Sequence, residues 1–123
     1  MAVEHPDGTV FAGGFALAPE EPGPKLWKSV DHGQRWTRVN VGTATEGAIE
    51  NSDVSLAMSR DGVLYFVTMG PARTRGEADG KNTIAVGATS DSGASWHWNV
   101  LSAMNPEFGD RPWVAYPLTG RPR

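Results

Sequence analysis

Two stretches of this chain carry the residues best suited to recognition chemistry. Arg73 and Arg75 lie in Gly70 to Asn82, together with Glu77, Asp79 and Lys81. Asp110 and Arg111 stand directly before Pro112-Trp113-Val114. A guanidinium presents parallel N–H donors, so two or three arginines could clamp a carboxylate from two sides. The plainer reading of 70–82 is a solvated charged loop. For Asp110-Arg111 it is a structural ion pair or a turn cap. Asp31 and Asp91 could in principle ligate a metal or act as acids. Neither sits in the Asp-rich ligand series of a calcium loop, and Asp-x-Gly is ordinary turn chemistry. His5, His32 and His97 have no metal-ligand spacing. The absence of Cys excludes disulfides and zinc–thiolate sites. There is no nucleophile elbow and no phosphate-binding glycine loop. The residues therefore call for no metal and no cofactor, and they supply no complete catalytic set.

The elements that would hold these residues are legible in a repeat. Ser29-Val30-Asp31-His32-Gly33-Gln34-Arg35-Trp36 and Thr89-Ser90-Asp91-Ser92-Gly93-Ala94-Ser95-Trp96 both read hydroxyl, x, Asp, x, Gly, x, x, Trp, 60 positions apart. The Asp carboxylate can accept from main-chain N–H groups downstream, and Gly takes the positive φ of a tight turn. The Trp opens the next strand and is expected to be buried as a hydrophobic anchor. A period of this size points to a repeat architecture.

Each box has the same surroundings. A second turn precedes it, Pro6-Asp7-Gly8 or Ser59-Arg60-Asp61-Gly62. Around these turns the sequence predicts strands at Ala2 to Glu4, Thr9 to Leu17 and Arg35 to Val41. In the second repeat they fall at Val54 to Met58, Val63 to Met69 and Trp96 to Leu101. With the strand that enters each box, every repeat offers four antiparallel strands. Val63-Leu64-Tyr65-Phe66-Val67 is apolar on both alternating faces, which predicts sheet packed on sheet. Gly13-Gly14 predicts a bulge or a close backbone approach. Trp96 and Trp98 are expected on opposite faces of the last strand, Trp96 in the core and Trp98 against a neighbouring sheet or free to stack on a sugar. The residues from Asp110 to Pro117, followed by a turn at Leu118 to Arg121, read as the start of a third repeat.

The box resembles the Asp-box, or BNR repeat, of the sialidase superfamily. The family prefers Thr before the Trp, where this chain has Arg35 and Ser95. The resemblance implies an all-β fold of four-stranded blades from a β-propeller, here an incomplete ring of about two blades. A two-sheet β-sandwich is the alternative fold. Repeat one spans 1–41, repeat two 53–101, and the third begins at 110–123. In the family the box, here Ser29, Asp31, Gly33, Trp36 and Thr89, Asp91, Gly93, Trp96, is structural. It lies away from the active site. The family grips the sialic-acid carboxylate with three arginines, a role for which Arg73, Arg75 and Arg111 lie on the right edge. It also uses a Tyr nucleophile. Tyr65 and Tyr116 are the only Tyr here, and both read as structural. The Arg-Ile-Pro motif is missing, so no sialidase active site transfers onto this chain. The function expected is a propeller segment serving as a scaffold for a glycan or protein ligand. The alternative is part of an exo-sialidase whose catalytic residues lie partly elsewhere.

Composition bounds the remainder. The chain has 123 residues, 39% hydrophobic and 20% charged, with net charge −3. This is globular composition without the basic face a nucleic-acid partner requires. No apolar run approaches the roughly 20 residues of a membrane span. Family resemblance suggests a secreted or cell-surface protein, though 1–7 reads as a strand and not as a signal peptide. An incomplete ring would expose unpaired edges and a bare face, and so predicts self-association.

Overall fold

The computed structural model describes residues 1–14, 24–43, 45–48, 53–71, 82–101 and 114–115. They form an all-β protein of two antiparallel four-stranded sheets, with no helix among the described residues. The first sheet contains β1 (Ala2–Glu4), β2 (Val10–Gly14), β3 (Lys25–Ser29) and β4 (Thr37–Arg38). The second contains β5 (Asp53–Met58), β6 (Leu64–Pro71), β7 (Asn82–Thr89) and β8 (His97–Leu101). Both run in simple meander order. The strands fall where the turn chemistry places them. The last strand of the first sheet is the exception: it has two residues where Arg35 to Val41 was expected. Val39 still donates its N–H to Leu26 O, at 2.9 Å. Val39 and Val41 are then drawn into the core between the sheets.

The registers of the two sheets coincide. Gly13 faces Leu26 as Val67 faces Val86, and Trp27 faces Arg38 as Gly87 faces Trp98. The offset is 54 in the first two strands, as from Asp7 to Asp61, and 60 in the last two, as from Asp31 to Asp91. Facing residues share a sheet face, so equivalent faces can be compared directly. We call the face bearing Leu56, Phe66, Gly87 and Trp98, and its counterpart Ala2, Ala12, Trp27 and Arg38, the leading face. The opposite one is the trailing face.

The sheets pack head to tail. The trailing face of the first, with Phe11, Gly13 and Leu26, meets the leading face of the second, with Leu56, Leu64 and Phe66, in one apolar core. Gly13 permits the approach: a Cβ there would lie 3.1 Å from Val54 Cγ2. The ladder runs unbroken through Gly13 and Gly14, so there is no bulge; Gly13 marks the close approach, and a Cβ at Gly14 would meet nothing within 4 Å. As its doubly apolar pattern predicted, β6 is buried on both faces, Leu64 and Phe66 on one and Val67 and Met69 on the other. On that trailing face, Val114 N–H donates to Ser55 Oγ at 3.0 Å.

The two tryptophans of the second sheet correct their expected placement. Trp96 and Trp98 lie on one face, because residues two apart along an extended chain point the same way. Their rings stack with centroids 5.8 Å apart at 21°, and each meets Phe66 at 6.2 Å. Trp98 Nε1–H donates to Val41 O at 2.6 Å, so its polar end is tied to the first sheet.

Candidate functional site

Antiparallel strands reverse at every turn, so tight corners collect on one edge of each sheet and longer loops on the other. Both boxes lie on the tight edge and are built by one hydrogen-bond scheme. Ser29 Oγ–H donates to Asp31 Oδ1 at 2.8 Å, and Thr89 Oγ1–H to Asp91 Oδ1 at 2.8 Å. The same hydroxyls accept from Gly33 N–H at 2.8 Å and Gly93 N–H at 2.9 Å. The carboxylates accept from Arg35 N–H and Ser95 N–H, each at 2.8 Å. The indoles close each corner, donating to Gly33 O at 2.9 Å and Gly93 O at 3.1 Å. His32 and Ser92, the x before each Gly, both adopt φ of 58°. The side-chain bonds hold these residues in the left-handed region, which is otherwise rare outside Gly.

The turn before each box is a reduced version of the same device. Ser59 Oγ–H donates to Asp61 Oδ1 at 2.6 Å and accepts from Val63 N–H at 2.8 Å. Hydroxyl-x-Asp at 59–61 was the sequence signal for this third hydroxyl–carboxylate corner, which the box pattern alone passed over. In the first unit His5 replaces Ser59. Its Nδ1 accepts from Asp7 N–H at 3.0 Å, and Asp7 Oδ1 accepts from Thr9 N–H at 2.8 Å.

These bonds decide what the carboxylates can do. Asp91 is held down to about 2 by the Ser95 hydroxyl, the Ser95 N–H and the Thr89 hydroxyl. Asp31 is lowered chiefly by Arg35 N–H, Asp61 by the Ser59 hydroxyl and Asp7 by Thr9 N–H. All four are ionised acceptors already engaged by their own turns, not general acids at neutral pH. No group of three or more His, Asp or Glu suited to a metal occurs among the described residues.

A pH dependence follows. A carboxylate with a lowered folded-state pKa adds stability above its unfolded value near 3.9, and that stability is lost as pH falls through the folded value. The melting midpoint is therefore expected to hold steady above about pH 5 and to fall between about pH 4 and 2. Asp91→Asn should flatten part of that fall. Thermal melts of both proteins at each pH check this, and equal slopes would show that Asp91 carries no share of it.

The anchors differ between the units. Trp96 is half-buried against Phe66 and Trp98, whereas Trp36 is 40% exposed. The expectation that Trp36 is buried is thus corrected. Its corner is intact, but among the described residues no sheet covers the leading face of the first unit. Trp27 on the same face is 37% exposed, with the Arg38 guanidinium 5.6 Å above its ring.

On the loop edge, the described part of the 42–52 connection is a compact turn. Thr43 N–H and Oγ1–H each donate to Glu46 Oε1 at 3.0 Å. Gly47 then seats itself on Trp98, where a Cβ would come within 2.8 Å of the Trp98 Cβ. Trp98 is thus covered and is not a sugar-stacking surface. The arginine and aspartate candidates, Arg73, Arg75, Asp110 and Arg111, lie outside the described residues, as does Tyr116. No protein-family model matches the chain, and no curated protein is significantly similar to it.

Proposed function

We propose that the chain comprises two successive blades of an Asp-box β-propeller and serves as a glycan- or protein-binding scaffold. What supports the blade reading is the head-to-tail packing of two sheets in one register. A β-sandwich joins two inner faces and leaves the outer faces polar. Here the second sheet buries Phe66 on one face and Val67 and Met69 on the other. That pattern suits a unit with neighbours on both sides.

A scaffold is favoured over a hydrolase because every Asp-turn carboxylate described is spent on its own corner. Binding would then fall to the loop edge, where rigid strands present long connections. By residue type, Arg73, Arg75 and Arg111 are the groups in the sequence suited to an anionic sugar. The test is titration of the chain with sialyllactose, followed by nuclear magnetic resonance, beside an assay with a fluorogenic sialoside. Saturable binding lost in Arg111→Ala, without turnover, is the expected result. Turnover would replace the scaffold with a glycoside hydrolase.

A further inference from the structure

We infer that the leading face of the first sheet is a docking surface for the trailing face of a second copy of this chain, so that copies associate head to tail. The inference needs only the observed equivalence of the sheet faces and stands apart from any ligand.

The internal interface shows what covers such a face. In the second sheet the leading face holds Trp96 and Trp98, and the trailing side of the first unit closes over it with Leu26, Val39 and Val41. In the first sheet the equivalent positions are Trp36 and Arg38, with Trp27 across the ladder. The aromatic has only changed strands. The facing pair is Gly87 and Trp98 in one sheet and Trp27 and Arg38 in the other. Each pair supplies one indole at the same place on the same face. In the second sheet it lies under a neighbour; in the first, Trp27 and Trp36 are 37% and 40% exposed. Exposed Trp with a stacked Arg is the composition that dominates binding energy at interfaces.

The chain also carries the complementary surface. Leu26, Val39 and Val41 correspond to Val86, Asn99 and Leu101 on the trailing face of the second sheet. The first three are buried between the sheets; Val86 is half-buried and Leu101 is 47% exposed. One end of the molecule thus offers the indole face. At the other end the β5 and β6 part of the trailing face, with Ser55, Val67 and Met69, is already buried, and the β7 and β8 part, with half-buried Val86 and exposed Asn99 and Leu101, is the surface left for a second copy. The contact would continue an interface the chain already makes, with outer strands β3 and β4 of one copy against β7 and β8 of the next. Two different patches meet, so the association is heterologous and yields chains or rings in place of two-fold dimers.

Two single-face variants test this. Trp27→Glu spoils the leading face and Leu101→Glu the trailing face; both residues are exposed, and far-UV circular dichroism confirms that each variant folds. Mass is followed by sedimentation velocity over a hundredfold range of concentration. The wild-type mass is expected to climb past the 13.2 kDa monomer through dimer to larger species. Each variant alone loses the larger species and stays at 13.2 kDa, and an equimolar mixture of the two forms a dimer, since each retains the face the other lacks. A wild type that is monomeric throughout overturns the inference. So does an association abolished by Trp27→Glu but untouched by Leu101→Glu, which would mark a two-fold contact. A mixture that stays monomeric also overturns it.

Discussion

Phe66→Ala is expected to cost about 3–5 kcal/mol, the usual range for truncating a buried Phe. Phe66 is fully buried where the sheets meet. It touches both rings of the Trp96–Trp98 stack and lies across from Gly13 of the first sheet. Removing it leaves a cavity that the neighbours cannot easily fill. The two indoles are fixed by hydrogen bonds to Gly93 O and Val41 O, and Gly13 has no side chain to move. Urea unfolding measures the loss. The equivalent position in the first sheet is Ala12, on the leading face. A cost below about 1 kcal/mol would mean that the sheets do not share a core.

Gly93→Ala is expected to destabilise by about 2–5 kcal/mol, and Gly33→Ala by only about 1–2 kcal/mol. The two glycines occupy the same corner with nearly the same φ, 91° and 86°. Both substitutions carry the strain of a Cβ in the left-handed region. They differ in what the Cβ meets. At Gly93 it would lie 2.9 Å from Val39 Cγ1 of the first sheet, and at Gly33 the nearest atom is the Trp36 ring at 3.7 Å. The excess at Gly93 therefore measures contact between the sheets and not turn geometry. Parallel denaturant melts give the difference, and equal losses would remove Val39 from that contact.

The same pair of corners shows how far local chemistry reaches. Hydroxyl, Asp, Gly and Trp at fixed spacing specify a turn whose partners lie within seven residues, so both boxes close as the sequence predicts. Strand placement follows, because tight turns fix where chains reverse and the side-chain period of two fixes which residues share a face. Overlooking that period put Trp96 and Trp98 on opposite faces. The shortness of β4 was not legible, since beyond the Val39–Leu26 hydrogen bond the chain turns Val41 into the core, where its carbonyl accepts from the indole of Trp98.

From the amino acids alone came the corners, the strand order within each unit and the repeat, because each is settled by groups close along the chain. Which faces are covered was decided only by the tertiary structure. Trp36 and Trp96 make equivalent bonds to equivalent glycines, yet one is exposed and the other packed on Phe66. The reason is non-local: burial depends on whether another sheet lies across that face, and no residue within the repeat encodes its neighbour's presence.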